Sequence, residues 1–315
     1  MKTNKALNIG ISELNSRIRE YINKPRILYV LKQDSRNWNQ ISSSLDVIGD
    51  THSAITSYLN SEWPDDTGLR YIYLYGLLQA MFLQQDAVKD MSKSLEINYP
   101  ENEELKKIRD IRNDSIGHPT NRGNGKSHHF ISQASMHKDS FTLMSFFAES
   151  APIFEPVNVS TLIEKQMQGV TTLLKNIMSI LEEKEMKHKE KFSNEKLVNL
   201  FPATTDYYFQ KMFEGIHASA NKELGVLHLN LIHDLYKKLI EKLKERGEYP
   251  ANDVLVYKIK EILYPIQKLA DFFDNNERNN LNEKDAHIFA SFVFQKHSDI
   301  VRILDEIDQE YESGR

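Results

Sequence analysis

Residues 112 to 118 read RNDSIGH and set an arginine, an amide, a carboxylate and a histidine within two helical turns of chain. Arg112 stays charged at any working pH and presents a planar fork of donors that matches phosphate oxygens. His118 titrates near neutral pH and can take or give a proton. Asn113 could position an anion or the histidine. Asp114, one turn before His118, could hydrogen-bond the imidazole. The other reading of the same residues is a surface helix terminus whose cations complement the helix dipole.

The stretch in front, PENEELKKIRDI (100–111), predicts the helix that carries this set. Pro100 suits its first turn, Glu101, Glu103 and Glu104 suit its positive end, and Lys106, Lys107 and Arg109 follow. Gly117 reads as the stop, in the left-handed conformation that closes a helix, and Pro119 cannot continue one. His118 would then sit on the turn itself. Spacing alone would not single it out, because Arg122 with His128 or His129 fits the same spacing inside the glycine-rich RGNGKSHH loop.

Three further elements must hold that helix. SSSLDVIGDTHSAITSYLNS (42–61) has helical periodicity and ends at WPDDTG, and LRYIYLYGLLQAMFLQQDAVKDMSKSLEI (69–97) is apolar on nearly every face of its first half, as a central helix would be. Within it Gln79 and Asp86 share a face. Asp86 could fix the Arg112 side chain from a neighbouring helix, or could mark where this helix meets solvent. A fourth long helix is predicted from TLIEKQMQGVTTLLKNIMSILEE onward, with Ser160 as its N-cap.

Between the third and fourth helices HFISQASM and SFTLMSFF predict a small β-hairpin over about 128–148, and proline-bearing SAPIFEPVNV reads as a leader into the next helix. The window 119–138 contains no acid and carries Arg122, Lys126 and Lys138, which would guide an anionic substrate to His118, or would be a loop that touches nothing. The charge-rich run 182–196 is either a domain boundary or the solvated end of a helix. Beyond it the pattern stays helical over 204–246, 252–275 and 282–311. His217, His228 and His233 do not share one helical face cleanly and lack completing carboxylates, so no metal site is expected. The lysines at 237, 238, 242 and 244 read as a solvated face.

The chain has 315 residues, a net charge of −5 and no cysteine. That balance excludes coating nucleic acid by bulk electrostatics but allows a local basic site. The absence of disulfides suits a reducing compartment. The first residues lack a signal-peptide apolar core and the longest apolar run is too short to span a bilayer, so a cytoplasmic protein without membrane contact is expected.

With its context, RNDSIGH resembles the motif of the HEPN superfamily (higher eukaryotes and prokaryotes nucleotide-binding). These are all-α bundles whose ribonuclease members carry arginine, a following polar residue and a histidine after four to six intervening residues. The matching positions are Arg112, Asn113 and His118. The resemblance covers about residues 42–192. It implies a HEPN-like bundle with the hairpin inserted; outside the resemblance, an N-terminal helical segment (1–41) and a C-terminal helical domain (197–315) complete the expected all-α fold.

The implied activity is a metal-independent endoribonuclease with no cofactor, acting as a toxin or defence effector. RNA supplies its own nucleophile, the 2′-hydroxyl, so the enzyme needs a proton acceptor, His118, and a cation for charge building on the phosphate, Arg112. The resemblance also implies RNA as partner, a homodimer that juxtaposes two motifs, and a regulatory protein partner. The alternative is a non-catalytic scaffold that holds RNA, a nucleotide or a protein.

Overall fold

A computed structural model describes residues 2–117, 119–123, 125–148, 150–217, 221–274 and 281–312, with side chains from residue 10 onward. His118 lies outside the described residues. The chain is mainly helical with one small antiparallel sheet. It forms two compact units, the first comprising residues up to Asn23 together with Val30–Glu182, the second Lys24–Tyr29 together with residues from Glu183 on.

The first unit holds α1 (Lys2–Ile22), α3 (Ser35–Asn60), α4 (Thr67–Ser94), α5 (Glu103–Arg112) and the first part of α6 (Val159–Phe192), while α2 (Pro25–Lys32) straddles the division. Asp34 caps α3 by accepting from the Arg36 and Asn37 amides, and Asp66 caps α4 by accepting from the Leu69 amide. Ile41, Leu45, Ile48 and Ile55 of α3 and Leu74, Leu78, Met81 and Val88 of α4 are buried in its core. The first helix of the N-terminal segment packs on α3, where Asn15 Nδ2 donates to the Leu45 carbonyl at 3.1 Å. α5 and α6 approach closely at Gly169, where an added Cβ would come within 2.8 Å of the Leu105 side chain.

α5 begins later than the sequence predicts. Its N-cap is Asn102, whose side chain accepts from the amides of Glu104 and Leu105, so Pro100 and Glu101 lie outside it. The insertion is larger than a hairpin: β1 (Ser127–Ile131), β2 (Ser140–Phe147) and β3 (Ser150–Asn158) form an antiparallel sheet in that order. The third strand is the stretch expected to be a leader. Its Pro152 and Pro156 suggested irregular chain, but an edge strand tolerates prolines, because its outward amides need no ladder partner. α6 also starts differently, with Asn158 Oδ1 accepting from the Thr161 amide at 2.8 Å, while the Ser160 hydroxyl donates to Asp139.

The second unit packs α7 (Thr205–Ile216), α8 (Lys222–Glu245), α9 (Asp253–Phe273) and α10 (Glu283–Glu312) around Leu229, Ile232, Leu239, Ile259, Ile262, Leu269, Ile300 and Leu304. The predicted 204–246 helix is thus two described helices. None of the described helices is long and apolar enough to cross a membrane.

Within this unit His297 is buried, its Nδ1 2.9 Å from the Tyr236 hydroxyl beside the Phe201 and Phe209 rings. Burial pushes its pKa down to about 4. The unfolded chain takes up that proton near pH 6.5, and the folded chain refuses it until about 4. Stability from this residue is therefore intact above pH 6.5 and is lost as pH falls toward 4, by about 3 kcal/mol. Urea unfolding at pH 7 and pH 4.5 should show the loss, and His297→Gln should flatten it. An equal pH slope in the variant would remove His297 as its origin.

Candidate functional site

The site is built on a stripe of α4. Gln79, Phe82 and Asp86 stand at positions i, i+3 and i+7, facing α5. Gln79 Oε1 accepts twice from Arg112, from Nη2 at 2.6 Å and from Nε at 3.2 Å. The Arg112 guanidinium lies 4.2 Å from the centroid of the Phe82 ring, and its Nη1 donates to Asn113 Oδ1 at 3.0 Å. Of the two readings of Asp86, fixing Arg112 is not what the structure shows: Asp86 pairs one turn earlier, with Arg109 at 2.7 Å. Gln79 takes the place assigned to it.

That exchange decides the charge of the site. Arg109 is neutralised by a carboxylate, whereas the partners of Arg112 among the described residues are neutral amides. Three of its five N–H donors are used, leaving two and a full positive charge for an anion. Burial first, and then the neighbouring Arg109 cation, pull its pKa below the ordinary guanidinium value. Both effects favour an incoming anion, which would relieve them.

Beyond Arg112 the chain does not stop in a left-handed glycine. Asn113–Gly117 forms a π-helical turn, and Gly117 is not among the positive-φ residues. The glycine is required by a close approach instead: a Cβ there would lie 2.8 Å from Arg112 Nη1 and 3.1 Å from Asn113 Oδ1. A wide turn of this kind is a recurrent feature of functional sites. The buried Ser115 hydroxyl in this turn has no hydrogen-bond partner among the described residues.

The window that is free of acids in sequence is not free of them in space. Arg122 meets Asp110 at 3.4 Å and Asp114 at 2.8 Å, the latter pair without the alignment of a hydrogen bond. Asp114 thus serves the Arg122 ion pair. Lys138 Nζ donates to the carbonyls of Leu59 and Ser61 and closes the end of α3. Lys126 is exposed on the loop. The structure therefore gathers Arg112 with Asn113, and Asp114 with Arg122, while Lys138 is occupied at another helix end.

The competing histidines are accounted for. His129 is buried, with its ring nitrogens 2.8 Å from the hydroxyls of Ser127 and Ser145, and His128 Nδ1 lies 2.7 Å from the Thr120 carbonyl. β1 packs beside the π-turn, and the His129 amide donates to the Pro119 carbonyl at 2.6 Å.

No family model, curated protein or solved structure matches this chain. Its site must be judged on its own chemistry. Among the described residues no group of three histidine or carboxylate side chains is placed to hold a metal ion. The residue that sequence reasoning undervalued is Gln79. A polar side chain on an otherwise apolar helix is visible in the sequence, but the sequence reading offers Asp86, not Gln79, as a partner of Arg112.

Proposed function

We propose that this chain is a metal-independent endoribonuclease of the HEPN type, serving as a toxin or defence effector. The observation that carries the reading is an oriented, partly buried guanidinium at Arg112, bound by neutral amides and so left with its charge, six positions before His118 in sequence. Arg112 meets a phosphate, and Asn113 keeps the fork in plane. His118 takes the proton of the 2′-hydroxyl, whose oxygen attacks the adjacent phosphorus. The bond from phosphorus to the 5′-oxygen breaks, and that oxygen needs a proton.

A second copy supplies it in this reading. Leu69, Ile72 and Leu83 are exposed on α4 in heptad spacing with Gly76 and Gln79, and an added Cβ at Gly76 would meet nothing within 4 Å. Such an apolar stripe suits a two-fold helix contact beside Arg112, which would set two motifs on one cleft. Lys126 is the exposed cation left to guide the strand toward it.

The test is cleavage of cellular RNA in EDTA. Expected are products ending in a 2′,3′-cyclic phosphate and a 5′-hydroxyl, no cutting of a 2′-deoxy substrate, and no activity in His118→Ala. Cutting that needs a metal, or that proceeds on the deoxy strand, would sink the mechanism. Binding of RNA without any cleavage would leave a scaffold instead.

A further inference from the structure

Arg109 and Arg112 share one aromatic ring. Their guanidinium carbons lie 4.1 and 4.2 Å from the Phe82 centroid, so the two cations are separated by at most twice that distance. The two cations are therefore no further apart than about one nucleotide step along a strand. Arg109 in turn lines a cleft of about 360 Å³ with Gln85, Lys89, Tyr99, Glu101 and Lys106. Small-molecule sites begin at about this size.

The lining has the components of a nucleotide site. Tyr99 is half-buried and offers a flat ring, and burial raises the pKa of its hydroxyl, which stays neutral. Lys89 has no ion-pair partner among the described residues, and Lys106 has only an exposed contact with Glu103 at 3.7 Å. Glu101 is the single carboxylate in the lining, so cations prevail.

The decisive group is Gln85. It is 2% exposed and is held by one Nε2 donor to Gln166 Oε1 at 2.8 Å, within a buried network in which Gln166 Nε2 donates to Gln84 Oε1 and to the Met81 carbonyl. Gln85 Oε1 is not among the fully buried unpaired atoms and no described donor is bonded to it, so the amide keeps an acceptor where the residue lines the cleft. Polar atoms so placed call for a donor. A base that presents an N–H edge supplies one.

We propose that this cleft receives the nucleotide adjoining the scissile phosphate, its base on Tyr99 with an N–H edge to Gln85, its phosphate on Lys89 and Lys106. The assignment to an RNA strand rests on the endoribonuclease reading above. The Asp86–Arg109–Phe82–Arg112 chain then makes occupancy of the cleft a positioning influence on the reacting phosphate.

The experiment uses the full chain and a 2′-fluoro RNA decanucleotide with 2-aminopurine substitutions, which lacks the attacking hydroxyl. Tyr99→Ala should weaken binding about tenfold or more and abolish quenching of the fluorescent base, while Tyr99→Phe, which keeps the ring, should retain both. Lys89→Ala should weaken binding and reduce its salt dependence. Unchanged affinity and quenching in folded Tyr99→Ala would overturn the proposal. A parallel titration with 5′-mononucleotides separates the sources: a mononucleotide that binds as tightly as the strand, indifferent to Arg112→Ala, would mark a free-nucleotide site and overturn the strand assignment. Cleavage of the all-ribose strand is scored separately. Tyr99-dependent binding without cleavage would remove the endoribonuclease reading and keep the cleft, and cleavage indifferent to Tyr99→Ala would remove the cleft alone.

Discussion

Arg112→Lys is expected to lower RNA cleavage by about a hundredfold or more, the scale seen when one fixed donor to a developing oxyanion is lost. Lysine keeps the charge but cannot reach Gln79 with two nitrogens, Asn113 with a third, and still present a planar pair to phosphate. Gln79→Glu is the informative companion. It keeps an acceptor for both Arg112 donors but adds a carboxylate that cancels the cation, so Arg112 should stay in place while activity falls. Gly117→Ala should impair cleavage as well, by pushing its new methyl into the guanidinium. Single-turnover rates at saturating RNA check all three. Near-native rates in Arg112→Lys would return the arginine to a structural role.

The largest effect on stability is expected at Asp308. Its Oδ1 meets Arg246 Nη1 at 3.2 Å and its Oδ2 accepts from the Val198 amide at 3.0 Å, with the two side chains 2% and 3% exposed. Arg246 also donates to the carbonyls of Glu195 and Phe192, and its guanidinium carbon lies 5.0 Å from the Tyr311 ring centroid. Asp308→Ala would leave a buried guanidinium without a counter-charge and the Val198 amide without an acceptor. The cost should be about 3–5 kcal/mol, because the desolvation penalty of the cation remains after its partner is gone. A domain's whole stability is about 5–15 kcal/mol, so unfolding near room temperature in modest urea is the expected reading. The double variant Arg246→Met with Asp308→Leu should recover most of the loss. If the double variant is as unstable as Asp308→Ala, packing around the pair, not its charge, is the cause.

The parts of this protein legible in its sequence were those governed by periodicity. The apolar faces of α4 and α6 and the breaks after α8 and after α9 follow from spacing and turn residues that a single chain displays, whereas the break between α7 and α8 does not. β3 was not legible, because its prolines argue against a strand until its neighbour is known, and edge position is a property of the sheet. At the site, Arg112 and Asn113 stood out by type and spacing, whereas the pairing of Gln79 with Arg112 and of Asp86 with Arg109 depends on how far α5 slides along α4. No local pattern encodes that slide. The acid-free window illustrates the same limit. Asp110 and Asp114 lie outside it in sequence and beside Arg122 in space.

The π-turn at Asn113–Gly117 closes each hydrogen-bonded ring with one residue more than an α-helix does. It is, in effect, a single-residue insertion absorbed at the C-terminal end of α5. The same separation in number describes different faces of a helix with and without such a bulge. A chain that lost one residue here could keep its fold and still turn the end of the helix by about a hundred degrees.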